Sequence, residues 1–178
     1  MRETKKAILE LEDGTVFEGK SFGFEKACSG EVVFNTAMTG YPESLTDPSY
    51  EGQVLVTTFP LIGNYGVPPK EEQDGVARYF ESSRIHCEAI VCQDYSWEYS
   101  HWLAEESLSD WLRREQVVGV YGIDTRALTK LLREKGSMLG RIFIEGAEKP
   151  EFYDPNKENL VAKVSCKEVE TYGDGDKT

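Results

Sequence analysis

The run TDPSYEGQ at residues 46–53 holds the first side chain here with chemistry to offer, the hydroxyl of Ser49. Asp47 can accept backbone N–H bonds as an N-cap. Pro48 suits the first helical position, because its fixed φ fits and its missing N–H costs nothing there. Gly52 can end the turn. Ser49 and Tyr50 then share one short turn. Its exposed N–H groups and the Ser49 hydroxyl suit a small anionic or zwitterionic ligand. The same spacing also serves a turn that merely closes a loop, and spacing alone does not separate the two.

Other reactive residue types do not assemble so readily. A cysteine nucleophile needs a base and a setting that lowers its pKa. The cysteines are Cys28, Cys87, Cys92 and Cys166, and the histidines are His86 and His101. His86 adjoins Cys87, but neighbours on a strand point to opposite faces. None of the cysteines sits in a glycine-flanked strand-to-helix elbow, so buried or idle thiols are expected. His86, Cys87, Cys92 and His101 lie close in sequence, yet the cysteine spacing is at the edge of zinc usage and no paired knuckle accompanies it. No catalytic residue and no metal ligand is assigned. Neither GxxxxGK[ST] nor a GxGxxG after a strand is present, so no cofactor-binding residue is assigned and no ATP site is expected in this chain. Tyr95, Trp97, Tyr99 and Trp102 read equally as an interface patch or as a loop over the core.

These residues need elements to position them. Residues 7–11 and 15–19 read as a hairpin, with Asp13-Gly14 supplying the positive φ angles of a primed turn. Residues 31–35, 53–59 and 87–93 are apolar runs of strand character. A short helix is expected near 75–83. A helix over 107–116 carries Leu108, Trp111 and Leu112 at helical spacing, capped by Ser107. Residues 117–121 form a strand. Asp124 caps a second helix with Leu128, Leu131 and Leu132 on one face, and Gly136 ends it. Residues 139–144 return to strand, and a last strand is expected over 160–169. Residues 173–178 have nothing to bury and are expected to fray. The first half is nearly all strand and the second alternates helix and strand, which is a mixed α/β pattern.

A length of 178 residues suits one domain with a proper core. The formal net charge of −12, from 20 Lys and Arg against 32 Asp and Glu, argues against a nucleic-acid partner and an anionic membrane surface. No apolar run suggests a signal peptide or a membrane span, so the cytoplasm is the expected location.

Four stretches stand out together: LEDGTVFEGKSFG at 11–23, GEVVFNTAMTGYPESLTDPSYEGQ at 30–53, FPLIGNYGV at 59–67 and VVGVYGIDTRALTKLLREKGSMLG at 117–140. Through them the chain resembles the amino-terminal domain of the small subunit of glutamine-dependent carbamoyl phosphate synthetase. The likeness covers nearly the whole chain and is weaker over 71–102. The resemblance implies a three-layer β/β/α swivelling-type domain over residues 1–170. Residues 171–178 would be a frayed tail or the start of a linker to a class I glutamine amidotransferase domain. In the family that domain holds a Cys-His-Glu triad. No GxCxG elbow and no His-Pro-Glu stand in these residues, so the resemblance implies no glutaminase activity for them alone. The implied partners are the large subunit, the amidotransferase domain and glutamine, with ATP and Mg on the large subunit. The implied role is to dock on that subunit and close one side of the glutamine site. Ammonia from glutamine then joins bicarbonate and two ATP in carbamoyl phosphate synthesis, for arginine and pyrimidines. Ser49 resembles the family serine that contacts bound glutamine. The alternative is a stand-alone binding or scaffold module of the same fold.

Overall fold

The computed structural model describes residues 4–173. Its strands are β1 (Lys6–Leu11), β2 (Val16–Ser21), β3 (Cys28–Asn35), β4 (Gln53–Thr57), β5 (Leu61–Ile62), β6 (Glu72–Gln73), β7 (Val76–Ala77), β8 (Ala89–Val91), β9 (Asp94–Tyr95), β10 (Val118–Tyr121) and β11 (Met138–Ile144). Its α-helices are α1 (Tyr41–Thr46), α2 (Leu108–Arg114), α3 (Thr125–Lys135) and α4 (Leu160–Val164), and a 3-10 turn covers Pro48–Tyr50. No described helix is long and apolar enough to cross a membrane.

Seven strands close into a barrel in the order β1-β11-β3-β4-β8-β10-β2. Within it β3, β4, β8 and β10 run parallel, and the remaining pairings are antiparallel. The chain is therefore mixed α/β. Parallel strands need both faces covered, and the core is divided accordingly. Val32, Val54, Val56, Val91 and Ile142 share one apolar cluster with Leu128 and Leu132 of α3. Leu55 and Ile90 turn the other way and join Phe22, Leu45 and the Leu108, Trp111 and Leu112 face of α2. The switch from Val54 to Leu55 to Val56 is the period-two alternation of a strand. Leu131, expected on the buried face of α3, is only partly buried.

Four local expectations change. The β1–β2 turn is not a primed turn. Gly14 is its one positive-φ residue, at 85°, and its N–H donates to the Leu11 carbonyl at 2.9 Å. Asp13 instead accepts the Thr15 N–H. A slightly longer loop needs only one left-handed residue. Second, residues 75–83 hold no helix. Asp74 and Gly75 both take positive φ, at 55° and 79°, and turn β6 back on β7. Third, residues 160–169 hold α4 rather than a strand. Asn159 caps it by accepting the Ala162 N–H at 3.0 Å. A closed barrel offers no edge for another strand to join. Fourth, α1 stands over residues to which the sequence pattern assigns no element. Its N-cap is Gly40 with no side-chain cap. The Tyr65 hydroxyl serves instead, accepting the N–H groups of Gly40 and Tyr41 at 2.8 and 3.0 Å. Of the tail expected to fray, residues 174–178 lie outside the described residues.

The crossover from β3 to β4 contains α1 and the Pro48–Tyr50 turn. Because β4 and β8 are parallel neighbours, the residues just ahead of each meet at one end of the barrel. That end carries the candidate site.

Candidate functional site

The turn around Ser49 forms as its local sequence dictates. The Asp47 carboxylate accepts the Ser49 N–H at 2.8 Å, and the Asp47 carbonyl accepts the Tyr50 N–H at 3.0 Å. The Pro48 carbonyl then accepts the Glu51 N–H at 3.1 Å. The donors at Ser49, Tyr50 and Glu51 are thus used within the turn. The open N–H cradle that the spacing suggested is not there, because the cap that makes the turn also occupies it. What the turn offers outward is the exposed Ser49 side chain, with the Asp47 carboxylate beside it. A hydroxyl donates to a carboxylate or accepts from an ammonium group. The neighbouring negative charge favours the ammonium end of a zwitterion. Tyr50 is held from the side, its hydroxyl accepting from Asn35 Nδ2 at 3.3 Å.

Behind the turn lies a charged network that the sequence reading did not assemble. Glu51 is only 5 % exposed. Its Oε2 accepts from His86 Nδ1 at 2.6 Å and from Arg84 Nη2 at 2.9 Å, and its Oε1 lies 3.1 Å from Lys163 Nζ. Burial pushes the Glu51 carboxyl up, but His86, Lys163 and Arg84 more than offset this and hold it below its ordinary value. His86 Nε2 lies 3.0 Å from Ser82 Oγ. Ser82, His86 and Glu51 therefore line up as a serine–histidine–acid chain. The serine's single proton is directed elsewhere, to the carbonyls of Thr46 at 2.7 Å and Arg84 at 3.1 Å. With two carbonyls competing for that proton, the Ser82 hydroxyl is not held as a donor to His86 Nε2, which is the bond a general base needs. The chain is a structural network rather than a nucleophile relay. One signal could have pointed to it: a histidine beside an apolar run and a glutamate just ahead of another must each find a partner when buried.

Other candidates disperse. Cys28, Cys87 and Cys92 are buried. Burial pushes the Cys28 thiol up to about 12 and raises Cys87 and Cys92 as well. Cys166 is exposed. His86 faces Glu51, while His101 packs beside Tyr65 and Trp102. The zinc-spaced residues therefore do not converge on one point. Of the aromatic cluster, Tyr95 is core, stacked on Phe22 at 4.1 Å. Trp97, Tyr99 and Trp102 are exposed.

Fold and site together define a mixed α/β barrel domain that presents a rigid, serine-bearing turn at one end. Residues 9–142 match the family described as Carbamoyl-phosphate synthase small chain, CPSase domain. The chain is 54 % identical over 168 residues to the carbamoyl phosphate synthase arginine-specific small chain of Eremothecium gossypii, covering 93 % of this chain and 42 % of that one. It is 53 % identical over 184 residues to the multifunctional protein URA2 of Saccharomyces cerevisiae, covering 92 % and 8 %. It is 50 % identical over 174 residues to the human mitochondrial carbamoyl-phosphate synthase [ammonia], covering 97 % and 12 %. The chain belongs to the carbamoyl-phosphate synthase small-chain family. It spans less than half the length of each of these relatives.

Proposed function

We propose that this chain is the amino-terminal domain of a glutamine-using carbamoyl phosphate synthetase, where it docks on the large subunit and closes one side of the glutamine site. Ammonia released from glutamine would then be delivered for carbamoyl phosphate synthesis from bicarbonate and ATP, feeding arginine or pyrimidine formation. The three-layer swivelling-type layout and a cytoplasmic location belong to the same reading. The observation that carries it is the Ser49 turn: rigid, capped from within, and offering one hydroxyl beside one carboxylate. Such a pair is half a site. It recognises the zwitterionic end of an amino acid only if a second surface supplies the rest, which suits a domain that works against an amidotransferase domain.

A second reading has its own support. One relative of 50 % identity is named for ammonia, so membership in the family does not by itself select glutamine as the nitrogen source. One experiment separates the two. Carbamoyl phosphate synthesis is measured on the native protein that carries these residues, with glutamine or ammonia as the nitrogen donor, for the natural chain and Ser49→Ala. On the glutamine reading, the substitution raises the KM for glutamine about fivefold, the equivalent of one hydrogen bond, with a smaller effect on kcat. An unchanged KM removes Ser49 from the site. Synthesis from ammonia but not from glutamine selects the second reading.

A further inference from the structure

The side of the turn opposite the Ser49 hydroxyl is not free. Glu51 follows the Pro48–Tyr50 turn directly, and its carboxylate is held by groups that all lie outside the turn. His86 and Arg84 come from the segment ahead of β8, and Lys163 comes from α4. Next to Glu51, Gly52 has a φ of 75°, and a Cβ built there would lie 2.9 Å from Pro155 Cβ and 3.4 Å from Tyr153 Cε1. The segment 153–163 therefore meets the turn twice. One meeting is apolar and close enough to require glycine; the other is an ion pair on a buried carboxylate. Lys163 is itself shared, 3.8 Å from Glu158 and 5.9 Å from the centre of the Tyr153 ring. Its reach to Glu51 thus depends on where α4 sits.

We infer that the Glu51–Lys163 pair is a latch by which the segment carrying α4 positions the Ser49 turn, making Glu51 and Lys163 positioning residues for the ligand that Ser49 contacts. The turn's own bonds fix its internal shape. They do not fix where it stands relative to the barrel end, which depends on the partners of Glu51, on the Asn35–Tyr50 bond, on the packing at Gly52 and on the backbone bonds from His86 to Leu45 and from Glu88 to Gln53 that flank the turn. Displacing α4 withdraws the Lys163 cation from the carboxylate and relaxes one of these constraints. The functional half of this inference rests on the glutamine reading of Ser49, whereas the latch itself does not.

Two measurements on the native protein test it, with Lys163→Met as the mild variant because that side chain is partly exposed, Lys163→Arg as the conservative one, and Glu51→Gln. Amide hydrogen exchange reads the latch. In Lys163→Met the amides of His86 and Glu88, which donate to the Leu45 and Gln53 carbonyls on either side of the turn, exchange ~10-fold faster or more, while Lys163→Arg stays close to the natural chain. Unchanged exchange in Lys163→Met overturns the latch, whatever the kinetics show. Glutamine kinetics read the consequence. Lys163→Met and Glu51→Gln raise the KM ~3–10-fold with kcat within ~2-fold, and Lys163→Arg restores the natural value. If Ser49→Ala raises the KM while these two do not, the positioning role falls and the Ser49 reading stands. If Ser49→Ala leaves the KM unchanged, the glutamine reading falls, and faster exchange in Lys163→Met then supports the latch alone.

Discussion

Ser49 and Glu51 sit two positions apart and are governed by opposite physics. Ser49 is exposed and is available because the turn has consumed its own donors. Glu51 is buried, and its charge persists because three cations or donors converge on it. The pH dependence follows from the direction of its shift. The folded carboxyl titrates below its ordinary value of 4.5. The stability it contributes is therefore fully present above that value and is lost as the pH falls through the lower folded value. Glu51→Gln removes this contribution. At neutral pH the substitution costs about 2–3 kcal/mol, nearer the figure for a charged hydrogen bond than for a fully buried pair, because Arg84 and Lys163 are partly exposed and rehydrate. Thermal melts of the two proteins should differ most at neutral pH and converge as the pH drops below the ordinary carboxylate range. A difference that grows on acidification would contradict the assignment. The Asp47 cap and the Pro48 position were legible in sequence because both act within three residues. The Glu51 network was not, since Arg84 and His86 are brought near only by the parallel pairing of β4 with β8, and Lys163 only by the return of α4.

Helices α2 and α3 carry both an apolar face and a capping side chain and stand where the sequence pattern puts them, whereas α1 is supported from outside. Helices α2 and α3 each bear a capping side chain one residue ahead of the first turn, Ser107 and Asp124, accepting the N–H of Asp110 and of Ala127. Helix α1 has a glycine in that place and depends on the Tyr65 hydroxyl, which no local pattern announces. The apolar run of 160–164 resembles a strand in composition, but it meets no sheet edge and is mostly exposed. Burial within α3 was only partly legible. Leu128, Leu131 and Leu132 share a face by spacing, yet Leu128 is 0 % exposed and Leu132 3 %, while Leu131 packs at the margin. Truncating a buried leucine loses transfer free energy and leaves a cavity, whereas one at the margin leaves space that water fills. Leu128→Ala should therefore cost about 2–5 kcal/mol in denaturant unfolding, and Leu131→Ala clearly less. Equal losses would place Leu131 in the core.

At the scale of the whole molecule, the folded unit extends past the family match. That match ends at residue 142. The chain then turns back over the barrel: the Pro150 carbonyl accepts from Arg141, and Phe152 lies under the Arg141 guanidinium at 4.4 Å. The Tyr153 N–H donates to Ser29 Oγ at 2.9 Å, and Ser29 in turn donates to the Gly140 carbonyl. Pro155 covers Gly52, and Lys163 reaches Glu51. In composition the stretch 145–157 is polar, with Pro150 and Pro155. It is polar because it lies on the surface as a strap, with its buried contacts reduced to a few residues. Removing the strap would unpair the buried carboxylate from Lys163, take the Tyr153 bond from a buried serine hydroxyl and uncover the close packing at Gly52. These losses sum to about 2–4 kcal/mol, which for a chain of this size lowers Tm by about 5–15 °C. A chain ending after Lys149 should show that loss in a thermal melt. A chain ending after Cys166 keeps α4 and every one of these contacts, so its Tm should stay within about 2 °C of the 178-residue protein. If both truncations melted alike, the strap would be an appendage, and the barrel end that carries Ser49 would stand without it.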